Sequence, residues 1–514
     1  MNMKFVVHRL GLLILALSGV IALHAGITLI RWQFMGLTEE QDTTAALAVS
    51  AVCCGALGTL IWLTSKSKAT RLERREAVVL VSLSWIIGAA VCAVPYFVWA
   101  MISDNDHAAR VAMESPVNVY FESLSGLTTT GATVLTELST IPKGLLLWRA
   151  TTHWLGGLGI VVLFVAVLPG IGIGGRRLFS FEAPGPDKSG LHPHIRETAR
   201  TLFVIYSVLT AVLAVGLMLS GLSPMDAVCH SFATLATGGF STDDASVAQY
   251  NSGAAMMLII VFMFFAGMNF NLFYHISKGK WKKVIQDTEF RAYLGIVVVA
   301  ATVVAFSLVG QTFNLTNGRE ITNASPGDAA LQSMFTCISI QTTTGFCTAD
   351  FDQWPTLAKS ILIALTFIGG CAGSTGGGIK VIRIWIVFRT MFSEVDRVVR
   401  PNVIRPLRTG EGGVVDQDMR LAVISYAMGV VLLFAAGTIT IMLLEPSVGI
   451  QTGATASLAT LCTTGPGLAR VGATQNYAFF GDASKIVMCV LMLLGRLEVF
   501  AIACLFSPHF WRNS

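Results

Sequence analysis

Ten stretches of this chain are each apolar over roughly the 20 residues that a helix needs to cross a bilayer. They lie near 10–30, 44–63, 77–102, 147–174, 201–220, 254–276, 292–312, 357–391, 419–443 and 484–506. That pattern leaves few folds open, because in lipid every backbone polar group must be paired inside its own helix or a closed barrel. Strands would need alternation rather than long unbroken runs, so the class is an all-α polytopic membrane protein. Composition agrees: 54% of the 514 residues are hydrophobic and only 13% are charged, about half the charged share of a soluble domain. A formal charge of +5 is too small to suggest nucleic acid as a partner. The first run follows Lys4 and Arg9 as a leader would. It is long for a leader and shows no small-residue cleavage site, so it reads as a retained first helix.

Basic residues give the orientation. Loop 64–76, loop 175–200, loop 277–291, the stretch 380–420 and the two termini together hold 26 Lys and Arg, against eight on the other side. The positive-inside rule places both termini in the cytoplasm. The opposite side, on which Arg149 is counted, carries 17 Asp and Glu and would raise the local cation concentration.

Four short segments between spans resemble one another: residues 121–133, 230–242, 336–348 and 457–467. They align on Gly131, Gly239, Gly345 and Gly465, at spacings of 108, 106 and 120 residues. Two positions before each glycine stands Thr129, Thr237, Thr343 or Thr463, and the residues between are Thr130, Gly238, Thr344 and Thr464. Each segment follows one span and precedes another. The unit is an outer helix, a re-entrant pore helix, a Thr/Gly turn and an inner helix. A period of this kind sets the architecture: an N-terminal helix pair over 1–70, then pore repeats over 71–190, 191–285, 286–400 and 401–514.

The chemistry follows from the backbone. Non-helical chain at membrane depth is tolerated only where it is buried in protein or lines a wet cavity. Four such turns around one axis make a ring of carbonyl oxygens that can replace the hydration shell of an alkali cation. The C-terminal, negative ends of the short helices favour a cation as well. Helix packing by small residues explains one such motif, but not four in register.

The third inner span, Leu357 to Met391, is too long for one crossing, and six of the ten residues 369–378 are glycine. At roughly 1 kcal/mol per glycine that stretch is no helix. It reads as a break near the midplane, below the ring, comprising Gly369, Gly370, Gly373, Ser374, Thr375, Gly376, Gly377 and Gly378. Lys380, which ends it, reads as a residue marking the cytoplasmic boundary. Arg496 falls midway along the last span, where a charge needs a cavity or a partner. Glu498 lies on another face and is a poor partner for it. His153, His230 and His275 are dispersed and read as packed side chains. The ten cysteines show no metal-ligand spacing. No catalytic constellation or ATP site is visible, so an enzyme is not expected. An alternating-access carrier would show discontinuous helices in matching positions of two halves; only one broken inner helix is read here.

These residues carry a family resemblance over nearly the whole chain. The four Thr-x-Gly segments resemble those of the Trk/Ktr/HKT potassium transporter superfamily, and the extra N-terminal helix pair is most similar to the TrkH type of the bacterial Trk uptake system. The resemblance implies K⁺ uptake across the bacterial inner membrane, with K⁺ bound by Thr129, Thr130, Gly131, Thr237, Gly238, Gly239, Thr343, Thr344, Gly345, Thr463, Thr464 and Gly465. It implies that the glycine stretch is an intramembrane gate approached by Arg496. It also implies a homodimer and a cytosolic nucleotide-binding TrkA-type regulatory subunit, with no cofactor beyond the transported ion. Glycine at position 131 leans toward potassium, since a serine there accompanies sodium preference in plant relatives. Gly238 and Pro466 depart from the pattern and leave a Na⁺-conducting or weakly selective transporter as the alternative.

Overall fold

The computed structural model describes residues 2–66, 74–104, 106–166, 191–400, 407–408, 414–499, 502 and 504–511. Several basic residues used for orientation, Lys68, Arg71, Arg176, Arg177, Lys188 and Arg405, lie outside them, as do the end of the 147–174 run and the boundary at 70/71. The fold is predominantly helical. Its only strands among the described residues are two short ribbons, Phe313–Asn314 with Glu320–Ile321 and Leu407–Arg408 with Val414–Val415.

The chain opens with a hairpin of α1 (Met3–Met35) and α2 (Gln41–Thr64). Small residues let the two approach closely: a Cβ on Gly11 would lie 2.9 Å from Trp62 N, and one on Gly55 would lie 2.9 Å from Ser18 Oγ. The hairpin is tied to the rest of the protein by polar contacts. His24 Nε2 meets Thr151 Oγ1 at 2.9 Å, and Glu40 pairs with Arg31 at 2.9 Å while accepting from Gly144 N.

Four times thereafter a long helix is followed by a short one, a non-helical segment and another helix. The first set is α3 (Arg74–Ile102), α4 (Ala108–Met113), α5 (Pro116–Leu127) and α6 (Lys143–Ala166). The second is α7 (Leu191–Leu219), α8 (Pro224–Leu235), α9 (Gly253–Ala266), α10 (Phe270–Ser277) and α11 (Trp281–Gln286). The third is α12 (Thr288–Leu308), α13 (Pro326–Gln341), α14 (Thr356–Phe367) and α15 (Val381–Val399). The fourth is α16 (Gln417–Leu444), α17 (Ile450–Leu461) and α18 (Asp482–Arg496), with α19 (Pro508–Trp511) at the end.

Local sequence explains where the short helices start. Ser115, Ser223 and Ser325 each precede a proline and accept a hydrogen bond from the backbone N–H of Asn118, Asp226 and Asp328. A serine N-cap followed by proline at the first helical position is a strong start signal. The fourth begins after Gly449 with no side-chain cap. The core closes the chain on itself. Trp85, Phe121 and Leu124 of the first set pack with Ile441, Met488 and Met492 of the fourth.

Six described helices are long and apolar enough to cross a membrane, and α9 with α10 would make a seventh, bent by 99°. Two expectations need correction. The last apolar run is not one helix: α18 ends at Arg496, and Glu498 and Val499 both turn left-handed at φ 55° and 57°. Nor is the third inner helix alone in being broken, because the second bends at Gly267–Asn269, where Asn269 caps a new helix. Neither break contains a glycine run, which is why the apolar pattern ran through both.

Candidate functional site

Each short helix ends in the same way. Thr130 N donates to Ser125 O, Gly238 N to Ala233 O, Thr344 N to Ser339 O and Thr464 N to Ala459 O, all at 2.8 Å. One residue earlier, Thr129, Thr237, Thr343 and Thr463 donate to Gly126, Thr234, Ile340 and Thr460 at 3.0–3.3 Å. This pair of bonds is the Schellman termination, which places one residue in the left-handed region. That residue is usually glycine. Here it is threonine in all four copies, at φ 53–58°. A β-branched side chain there costs roughly 1–2 kcal/mol, and recurrence of such strain points to a functional constraint.

Two residues on, Gly131, Gly239, Gly345 and Gly465 are left-handed again, at φ 78–89°. Side-chain space shows why they are glycine. A Cβ on Gly131 would strike Gly238 O, one on Gly239 would strike Thr344 O, one on Gly345 would strike Thr464 O, and one on Gly465 would strike Thr130 O. The four segments thus form a closed ring in chain order. Each glycine lies against the carbonyl of the next segment, and the fourth lies against the first. All four glycines line one open cavity together with Asp243, Asp244 and Arg149. Burial holds the Asp244 carboxyl above its ordinary range.

A polar side chain on each short helix reaches the chain just beyond the ring. Glu122 accepts from Thr133 Oγ1 at 3.0 Å and from Val134 N at 3.0 Å. His230 Nε2 meets Ser241 Oγ at 3.2 Å, Thr348 Oγ1 donates to Gln332 at 2.6 Å, and Leu468 N donates to Thr455 Oγ1 at 3.0 Å. Tyr477 adds a bond from its hydroxyl to Gly465 O at 2.7 Å. The first and third segments also carry a hydroxyl brace, Ser125 to Ala132 O and Ser339 to Phe346 O, where the second and fourth have alanine. Glu122 is fully buried and pairs with Arg149 at 2.7 Å. Such a pair contributes little net stability but severe loss when halved.

The glycine stretch lies on the helix side of the ring, opposite the cavity. Its neck is a bridge between Ile368 and Ile379, with Gly369 N donating to Ile379 O at 3.1 Å. Its body touches the ends of three short helices. Thr375 Oγ1 donates to Leu235 O at 2.9 Å, a Cβ on Gly376 would lie 2.9 Å from Thr342 O, and one on Gly377 would lie 2.5 Å from Cys462 O. Thr343 Oγ1 accepts from Gly377 N at 2.7 Å. Arg496 reaches the same loop: its Nη1 donates to Thr375 O at 2.8 Å and its Nη2 to Gly156 O at 3.3 Å. Gly156 itself lies against Leu127 O, the end of the first short helix. Arg496 is 3% exposed, and no carboxylate pairs with it among the described residues. Glu498 pairs instead with Arg383 at 2.6 Å.

Lys380 differs from its sequence reading, and Arg149 and Glu289 make contacts that the sequence reading did not name. Lys380 is not at a boundary: it is buried and its Nζ donates to Gly376 O, because the loop carbonyls above it need donors. Arg149, counted among outer basic residues, is buried inside α6. Glu289 on α12 had gone unread, yet its Oε1 accepts from Ala372 N at 2.7 Å and Ile382 N at 3.0 Å, holding the loop and the helix after it. The signal for Glu122 and Arg149 was present, since an ionisable residue within or beside an apolar segment is a functional candidate by default, whereas Glu289 stands among the charged residues of loop 277–291 and gave no such signal.

The chain that carries this ring of four Thr-x-Gly turns and this glycine loop can be compared as a whole with known proteins. The model of the TrkH cation transport proteins matches residues 44–513. The Trk system potassium uptake protein TrkH of Escherichia coli K12 is 34% identical over 523 residues, covering all of both chains. Its namesake from Vibrio parahaemolyticus is 37% identical over 460 residues, covering 89% of this chain and 90% of that one. The crystal structure of the potassium transporter TrkH from Vibrio parahaemolyticus superposes with a TM-score of 0.86 at 32% identity, over the full length of both. The chain belongs to the TrkH family of cation transport proteins.

Proposed function

We propose that this chain takes up potassium through a pore at the centre of the four repeats, over 71–190, 191–285, 286–400 and 401–514. The closed ring is the observation that carries the reading. Alternating the sign of φ along Thr129–Thr130–Gly131 and its three counterparts lets successive carbonyls face one side, as a filter that strips a cation of water requires. Thr129, Thr130, Gly131, Thr237, Gly238, Gly239, Thr343, Thr344, Gly345, Thr463, Thr464 and Gly465 are the filter. In the cavity outside it, Asp243 and Asp244 outnumber Arg149, which is itself paired with Glu122, and the net negative charge concentrates cations. The loop from Gly369 to Gly378, with Arg496 bonded to Thr375 O, is the gate, and the guanidinium repels cations on that side of the filter.

The names of the relatives support potassium as the ion and a multi-component uptake system as the setting. The chain resides in a bacterial inner membrane with both termini cytoplasmic. It works as a homodimer, with a TrkA-type nucleotide-binding subunit on the cytoplasmic face. The competing reading is a weakly selective or Na⁺-conducting pore, favoured by the inequality of the segments at Gly238 and Pro466.

The test is cation flux into liposomes holding the purified protein, for K⁺, Rb⁺ and Na⁺, alongside Gly131→Ser. Uptake of K⁺ over Na⁺, lost in the variant, is the expected result. Equal flux of both ions in the unaltered protein would assign the weakly selective pore instead.

A further inference from the structure

The second filter segment lacks a side chain where its three counterparts have threonine. The space is not empty. A Cβ on Gly238 would lie 2.5 Å from His153 Nδ1, so the imidazole fills the volume that a threonine there would need. His153 belongs to the first repeat, on α6, and it ties two segments together. Nδ1 lies 2.7 Å from Gly126 O, at the end of the first short helix, and Phe240 N donates to Nε2 at 3.2 Å, just past the second filter glycine. Because Nε2 accepts, the proton sits on Nδ1, which donates to Gly126 O. The ring is therefore neutral, with one donor and one acceptor in fixed places. Arg149 stands four residues earlier on the same helix face. It lies over the Phe240 ring at 3.3 Å, while the His153 ring centre lies 4.1 Å from that of Phe240.

We propose that His153 is a positioning residue for ion selection: it replaces the missing threonine of the second segment and sets the spacing between the first and second segments. This rests on the filter reading above. It touches no ion. It acts through Phe240 N and Gly126 O, so its loss changes the width of one quarter of the ring. Gln offers the same donor and acceptor on a side chain of comparable reach, Asn falls one methylene short, and Leu fills the space with neither.

The test measures the ratio of K⁺ to Na⁺ uptake in liposomes for the unaltered protein, His153→Gln and His153→Leu, with Gly131→Ser as the control. The expected result is a fall of about fivefold or more in the ratio for His153→Leu with flux retained, the loss of two neutral hydrogen bonds, and a ratio near the original for His153→Gln. An unchanged ratio in His153→Leu overturns the proposal. So does equal damage by Gln and Leu, which would mean that shape alone matters. If the Leu variant does not fold, Asn takes its place, and equality of Asn with Gln overturns the proposal in the same way. Failure of the filter reading is recognised separately, by a Gly131→Ser protein that keeps the original ion preference.

Discussion

The ring and the loop beneath it are both non-helical chain at the heart of a helical protein, and they are held in opposite ways. In the ring, the helix end of each segment is fixed by two backbone bonds to its own helix, within five residues, and the pattern is repeated four times. In the loop, several backbone groups are satisfied by side chains from elsewhere: Ala372 N by Glu289, 83 residues away, Thr375 O by Arg496 at 121, and Gly377 N by Thr343 at 34. A helix end held by local backbone bonds cannot be loosened one contact at a time; only the spacing between ring segments depends on single side chains such as His153. A structure held by a few distant side chains can, since each is removable and each lies on an element that can shift. The first suits a fixed coordination site and the second a gate. Low local stability is where moving parts are found.

The sharpest way to break that contrast is to place one methyl group in the ring. Gly345→Ala sets a Cβ against Thr464 O and 2.8 Å from Pro466 Cδ, both parts of the neighbouring segment. The residue must also stay left-handed at φ 82°. Potassium uptake in liposomes should fall by about tenfold or more, as strain of a few kcal/mol at the site implies. Retained uptake would mean that the segments are free to separate, and the contrast with the loop would collapse.

The same contrast predicts a different outcome for the loop. Glu289→Gln removes the charge that receives Ala372 N and Ile382 N while keeping the shape. A hydrogen bond to a charged group contributes about 1.5–3 kcal/mol. The loop should then leave its closed position more often, raising basal potassium flux severalfold while the K⁺ to Na⁺ ratio stays as it was. A changed ratio with unchanged flux would place Glu289 in the filter's support instead.

Much of this site was legible in the sequence for the reason that the ring is locally held. A Schellman end needs only the residues next to it, so Thr129 and Gly131 and their counterparts repeat in register along the chain. Six glycines in ten residues likewise announce a broken helix. The parts that could not be read are those fixed by distant partners. Nothing near Lys380 in the chain says that its ammonium turns back to Gly376 O. Nothing near His153 says that Gly238, 85 residues on, will lie against its ring. The breaks at Asn269 and Glu498 were hidden because the surrounding residues are apolar and carry no helix-stopping run.

The four left-handed threonines give the smallest effect and the cleanest one. Thr129 sits at φ 55° with its hydroxyl unpaired in the structure. Thr129→Gly removes steric strain of roughly 1–2 kcal/mol, against about 0.5–1 kcal/mol of added chain entropy in the unfolded state. The variant should therefore be equally stable or slightly more stable, by up to about 1 kcal/mol, in thermal unfolding of the detergent-solubilised protein. A threonine kept where glycine is easier must be kept for something other than stability. Its branched side chain confines the segment to one conformation, and a glycine there widens the range of carbonyl positions. The K⁺ to Na⁺ ratio should accordingly drop a few-fold in the same variant that resists heat as well or better. If Thr129→Gly instead lowered the thermal midpoint and left the ratio unchanged, the threonine would be a packing residue, and the ring would be held less locally than its four matching helix ends suggest.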